Sequence, residues 1–317
     1  MRGRPVRLPR LTPAAYQRIT FVAVLLLAVI IVTGGAVRLT GSGLGCPDWP
    51  SCEPGSLTPH TASDVNAMVE FVNRMFTGLV SVAVIVAVLG SLLRVPRRRD
   101  LVWLSLGLVA GVFAQAVLGG LTVLFELQPP FVMAHFLVSL ALLANALLLH
   151  RRASEPDAPA LLVAASIVKA LGRVLLVVAA VVVITGTVVT ATGPHGGDED
   201  AKRFSFDIRV VARIHGTSVI LFVVLALVTL WMLRRTRAPR EVQQRLGVLL
   251  ALTLAQAGIG YAQYLTGIPA LLVGFHLAGA TAVWAATIWF YLGLFRRDAP
   301  APVTPDASGR RPALAPA

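Results

Sequence analysis

The chain has 317 residues, of which 56% are hydrophobic and only 14% charged, with a mean hydropathy of +0.77. A soluble domain of this size cannot bury that much apolar surface, so the composition excludes one and points to an integral membrane protein. The formal net charge of +13 does not mean a nucleic-acid partner, because the basic residues lie in short clusters between apolar runs, which is a topology pattern.

A membrane-crossing helix needs about 20 mostly apolar residues. Eight such runs follow in order: 19–40, 68–93, 101–125, 130–150, 168–191, 208–233, 246–265 and 268–295. The first is too long for a signal-peptide core and lacks a small-x-small cleavage site, so it stays in the mature protein. Eight crossings return both termini to one side. Of the 28 Lys and Arg, 22 fall in the segment 1–18, the links 94–99, 151–173 and 234–245, and the tail. The positive-inside rule places that side in the cytoplasm, giving a multi-pass cell-membrane protein. The expected organisation is a cytoplasmic segment 1–18, a four-helix bundle 19–150 with an outer loop 41–67, a cytoplasmic linker 151–167, a second four-helix bundle 168–295, and a tail 296–317. The tail is rich in Pro and Ala and reads as disordered.

The first run leads into "TGSGLGCPDWPSC" (40–52), which carries both cysteines of the chain, Cys46 and Cys52. Outside the cell thiols oxidise, and a bridge across so short a loop would be worth about 2 kcal/mol by chain entropy. Two readings stand: a staple for a loop without a core, or a redox-active pair beside an outer-face site. The second run opens with "EFVNR" (70–74). Glu70 lies one turn outside Asn73 on the same helix face. A carboxylate entering an apolar run is costly unless used or paired, and Arg74 is a candidate partner.

Histidines punctuate the even-numbered runs: His135 in the fourth, His215 in the sixth and His276 in the eighth. Ionisable residues at membrane depth are functional candidates. By helical rise, His135 and His276 lie roughly 7–11 Å below the outer ends of their helices. His60 and His195 in outer loops, and His150 beside Arg151, read as ordinary solvated residues.

The chain also repeats itself. "AQAVLGGLTVLFELQPPFVMAHF" (114–136) aligns without a gap on "AQAGIGYAQYLTGIPALLVGFHL" (255–277), and "VTGGAVRLTGSG" (32–43) resembles "ITGTVVTATGPHG" (184–196). Asn73 precedes His135 by 62 residues, and His215 precedes His276 by 61. The expected fold is therefore all-α, with eight transmembrane helices as two tandem, pseudo-symmetric four-helix bundles related by an axis along the membrane normal. In each bundle two positions on separate helices face each other amid small residues. That suits a six-coordinate heme better than zinc, which wants three or four close ligands. Gly216, Gly274 and Gly279 flank the histidines and would admit a flat macrocycle. His215 and His276 form a complete pair, whereas Asn73 leaves His135 with an incomplete one. Arg74, Arg209 and Arg213 are candidate partners for heme propionates.

At this point the sequence resembles the heme A synthase family over about residues 17 to 295. The resemblance rests on "TGSGLGCPDWPSC", "EFVNR", "AHF", "RIHG" and "GFHLAGA". It implies an oxidoreductase that converts a methyl substituent of heme O to a formyl group, giving heme A for terminal oxidases. It further implies a heme b cofactor on His215 and His276, substrate heme O near His135, Glu70 as the catalytic carboxylate, and a Cys46–Cys52 disulfide. Heme O synthase would hand over the substrate, and an unidentified acceptor would take the electrons. Family members often carry Glu-x-x-His where this chain reads Glu70-x-x-Asn73, so no iron ligand is carried onto Asn73. The competing class is a di-heme membrane electron carrier of cytochrome b type, which shares the histidines but leaves Glu70 and the cysteines without a task.

Overall fold

The computed structural model describes residues 10–61 and 63–298; the first nine residues and nearly all of the tail read as disordered lie outside them. Eight helices, each long and apolar enough to cross a membrane, make up the fold: α1 Pro13–Leu39, α2 Val65–Leu93, α3 Arg99–Leu124, α4 Pro129–Ser154, α5 Ser166–Thr192, α6 Ile208–Arg235, α7 Arg240–Leu265 and α8 Ala270–Gly293. Most start earlier than the apolar bands, and at α1 and α2 a side-chain cap marks the start. Thr12 accepts from the Ala15 N–H at 3.2 Å with Pro13 at the first helical position, and Asp64 accepts from Ala67 N–H at 3.0 Å. Each cap satisfies a backbone donor that the first turn leaves free.

The helices form two closed rings. α1 packs on α2, α2 on α3, α3 on α4 and α4 back on α1; α5 to α8 repeat the circuit. The rings meet through α4 against α8, with α1 on α8 and α4 on α5 to either side, which is the arrangement a two-fold between the halves requires. Two inter-helix turns repeat as well. Glu126 and Leu127 between α3 and α4, and Gly267 and Ile268 between α7 and α8, all have positive φ. Leu127 N–H then reaches Thr122 O at 2.8 Å, and Ile268 N–H reaches Gln263 O at 2.7 Å. Gly267 adopts its left-handed conformation without the steric cost that Glu126 bears.

Both buried apolar clusters sit toward one end of the molecule. In the first half Tyr16, Leu101, Leu143 and Leu149 anchor the cluster; in the second, Leu175, Leu233, Leu246 and Phe290 do. This is the end where residues 10 and 298 lie, called the terminal end below; the opposite one, carrying the 40–64 loop, is the loop end. Trp284 of α8 packs against both clusters and donates its indole N–H to Leu140 O at 2.9 Å. At the loop end Arg38 ties the halves, donating to His195 O at 2.7 Å and Thr190 O at 2.9 Å.

Two sequence readings change here. The linker and the start of the tail are ordered by each other: β1 (Leu161–Leu162) pairs antiparallel with β2 (Phe295–Arg296). His195 and His150 are not simply solvated. His195 Nε2 lies 2.8 Å from Ile268 O, and His150 Nδ1 lies 3.0 Å from Thr20 Oγ1. Both meet polar groups from segments far away in the chain, contacts no local sequence window reveals.

Candidate functional site

The loop halves of the two bundles carry the candidate residues. In the second bundle, α6 presents His215 and α8 presents His276 with ring centroids 6.4 Å apart and planes at 84°. Thr185 of α5 orients the first of these. Its hydroxyl donates to Val181 O or Val182 O at 2.9 and 3.0 Å, so Oγ1 remains to accept from His215 Nδ1–H at 3.1 Å. That tautomer leaves the Nε2 lone pair free as a metal donor. Nδ1 of His276 and of His135 is buried without a hydrogen-bond partner among the described residues.

A glycine on the preceding odd-numbered helix seats each of these rings. A Cβ built on Gly186 would lie 3.1 Å from His215 Cε1, one on Gly260 3.2 Å from His276 Cε1, and one on Gly119 3.4 Å from His135 Cε1. Gly34 stands in the same relation to Asn73, at 4.0 Å from Nδ2. Sequence reasoning singled out other glycines. Gly279 is filled by the Gln256 side chain and Gly274 faces Leu39 of α1, so both serve helix packing. The useful signal was in the repeat itself, which aligns Gly34 with Gly186 and Gly119 with Gly260, residues one helix away from the histidines.

These seats admit a test. Gly186→Ala or Gly260→Ala removes a poor helix former, which by propensity alone stabilises the helix by about 1 kcal/mol. The added methyl nevertheless presses on the imidazole edge. We expect folded protein with unchanged circular dichroism and a weakened or shifted heme absorption band; unchanged absorption in both variants would show that the seats do not position the rings.

Glu70 occupies a different setting from the histidines. It is buried at the start of α2, with Oε2 accepting the Cys46 N–H at 2.9 Å and Oε1 bound by Arg74 at 2.6 and 3.1 Å. Arg74 continues into the loop, donating to Ser51 O at 2.7 Å and to Cys46 O and Asp48 O at 3.2 Å. Its guanidinium is thereby engaged, while Arg209 and Arg213 are exposed at the start of α6. Asn73 Oδ1, one turn along α2, is buried with no partner among the described residues.

The cysteines are bonded to each other, and both are fully buried. Their loop lies across the mouth of the first bundle. Gly45 rests on the first turn of α2, where a Cβ would come within 2.4 Å of Asn66 backbone, and the Trp49 ring covers Gly120 of α3. Asp48 fastens the loop internally: Ser51 Oγ donates to it at 2.7 Å and Trp49 N–H at 2.8 Å, bonds that hold its carboxyl below the usual range. Replacing both cysteines with serine should cost about 2 kcal/mol and leave the bundles folded while the 40–64 loop becomes sensitive to protease. A cleavage rate equal to that of the unaltered protein would show that Arg74 and Asp48 hold the loop without the bridge.

Fold and site together define a polytopic helical membrane protein of two four-helix bundles, the second with two facing histidines in a glycine-lined loop half. The chain belongs to the COX15-CtaA family of cytochrome oxidase assembly proteins, whose model matches residues 17–194 and 202–316. Relatives named Heme A synthase include one from Lysinibacillus sphaericus, 36% identical over 132 residues, which are 41% of this chain and 42% of that one. Another, from Listeria welshimeri, is 32% identical over 145 residues, 45% and 47% of the two chains. A third, from Exiguobacterium sibiricum, is 34% identical over 123 residues, 38% and 40%. The chain thus spans less than half the length of the curated relatives it matches.

Proposed function

We propose that this protein is a heme A synthase, an oxidoreductase that oxidises a methyl group of heme O to the formyl group of heme A for terminal oxidase assembly. The observation that carries the reading is the His215–His276 pair. Their ring centroids lie 6.4 Å apart, a spacing at which both imidazoles would hold one heme iron between them. The donor set, the buried His276 Nδ1 and the Gly186 and Gly260 seats fit a heme b in the second bundle. A bound heme b would supply one-electron redox chemistry there.

On this reading the two halves are an internal repeat with divided labour. The first bundle takes substrate, with His135 as the iron ligand and Asn73 opposite it as a hydrogen-bonding amide. Arg209 and Arg213 are exposed at the loop end, where they can pair with propionates. Glu70 lies beside the incomplete site. Oxidising a methyl to a formyl group removes electrons and protons and adds one oxygen from water. Positive charge builds next to the porphyrin, and a fixed carboxylate stabilises it and accepts a proton from the attacking water. Glu70 is suited to this because the Cys46 N–H and the Arg74 guanidinium hold its two oxygens in a fixed orientation. The disulfide loop keeps it in place and covers the bundle mouth.

The protein lies in the cell membrane with both termini cytoplasmic, so the loop end faces outward. Heme O, which carries a long apolar tail, enters sideways from lipid, handed over by heme O synthase, and an acceptor outside this chain takes the electrons. The direct test is chromatography of hemes extracted from cells supplied with heme O, with and without this protein. Heme A should form only in its presence. Its absence, with the folded protein in the membrane, would overturn the enzyme reading in favour of electron transfer.

A further inference from the structure

At the terminal end, far from His135, His215 and His276, α4, α8 and residues around the β1–β2 pair line an open-sided cavity of about 240 Å³ where the two halves meet. Its charged wall is built from Arg151, Arg152 and Arg297, and the carboxylate shared among them is Glu155. Arg151 Nε lies 2.7 Å from Glu155 Oε1, and Arg297 Nε and Arg152 Nη1 lie 3.5 and 3.8 Å from Oε2. Asp100, held by Arg152 Nη2 at 2.6 Å and Arg98 Nη2 at 2.7 Å, neutralises the deeper pair. With Asp157 Oδ1 3.7 Å from Arg98 Nε, the guanidiniums of Arg98, Arg151, Arg152 and Arg297 face the carboxylates of Asp100, Asp157 and Glu155, so the balance remains positive. Arg152 Nη1 is buried and without a hydrogen-bond acceptor among the described residues. Its nearest carboxylate oxygen, Glu155 Oε2, is 3.8 Å away, so this buried donor lacks a short acceptor, which favours an anion beside it. Partial burial and repulsion by Arg152 lower Arg297 below the ordinary guanidinium range, in keeping with an excess of positive charge.

The remaining walls suggest the source of that anion. Leu148 and Leu292 line the cavity together with Tyr291. The arginines follow directly on the last apolar turns of α4 and α8, at the level where aromatic residues mark a membrane interface. Basic pockets between transmembrane helices suit phosphate headgroups, because arginine binds them in a bidentate fashion while the acyl chains stay in the apolar layer. We propose that this cavity is a phosphate site filled by the headgroup of an anionic phospholipid, which bridges the two halves of the protein at their terminal ends. The proposal does not depend on the function argued above.

The test uses the full chain in nanodiscs of phosphatidylcholine with or without phosphatidylglycerol. Native mass spectrometry reads retained lipid, and thermal unfolding reads the effect of binding. The unaltered protein should retain a phosphatidylglycerol adduct and melt higher in its presence. Arg151→Gln with Arg297→Gln should lower retention about tenfold or more, since each basic contact at a membrane surface counts separately. Arg234→Gln with Arg240→Gln removes as much charge from the same end, away from the cavity, and should retain the adduct. If the first pair of substitutions prevents folding, Glu155→Gln serves instead; removing the competing carboxylate should raise retention, and unchanged or lower retention overturns the site. Equal retention in both double variants also overturns it. In phosphatidylcholine alone, stabilisation by inorganic phosphate that the Arg151/Arg297 variant lacks, with no effect of phosphatidylglycerol, would support the phosphate site and overturn the lipid as its source.

Discussion

Alanine at either His215 or His276 is expected to abolish the low-spin spectrum of the heme b proposed for the second bundle. The two rings are the facing pair of the second bundle, 6.4 Å apart, and a heme iron held by two imidazoles loses its six-coordinate state when either is removed. The fold should survive. The buried cluster of the second half, built on Leu175, Leu233, Leu246 and Phe290, lies at the terminal end, away from both rings. His135→Ala serves as the internal comparison: it should leave the heme b spectrum in place and weaken retention of heme O. A full wild-type spectrum in both His215→Ala and His276→Ala would move the cofactor out of the second bundle. Loss of the heme b signal from His135→Ala alone would exchange the roles of the halves.

Glu70→Gln is expected to lower conversion of heme O to heme A about 100-fold or more, the scale of removing an acid–base or electrostatic group from a reacting centre. The structure makes the comparison with Arg74 decisive. Glu70 touches both the Cys46 N–H and the Arg74 guanidinium, so its substitution also loosens the loop. Arg74→Gln breaks the same ion pair and the bonds to Ser51 O, Asp48 O and Cys46 O, yet leaves the carboxylate. If Glu70 acts on substrate, Glu70→Gln is much the slower of the two, with heme O or an alcohol-level product accumulating, while the loop in Arg74→Gln is at least as sensitive to protease. If Glu70 only latches the loop, the two variants lose activity in parallel with loop protection. Heme chromatography and limited proteolysis on the same membranes separate these outcomes.

The glycine seats show how far a local reading of the chain reaches. His135, His215 and His276 stood out because an imidazole is rare and costly in an apolar run. Gly119, Gly186 and Gly260 did not, because glycine is common in membrane helices and its role appears only when another helix lies against it. Thr185 is similar: its pattern in α5 is ordinary, and only the crossing of α5 and α6 brings its hydroxyl to His215 Nδ1. The Glu70–Arg74 spacing of four residues made their pairing foreseeable within one helix, but the acceptance of the Cys46 N–H required the loop to fold back 24 residues.

The membrane class, the eight apolar helices and the ionisable residues within them are legible in the amino-acid sequence. Each of these follows from hydrophobic run length, charge clusters and residue spacing along one chain, quantities the bilayer reads directly. Which glycine seats which ring, the turn of Arg74 into the disulfide loop, the pairing of β1 with β2 and the gathering of Arg151, Arg152 and Arg297 around Glu155 emerge from three-dimensional packing alone. These are contacts between segments far apart in the chain. They depend on the rotation and height of one helix against another, which small side-chain contacts set and which hydropathy, being an average over a helix, does not contain.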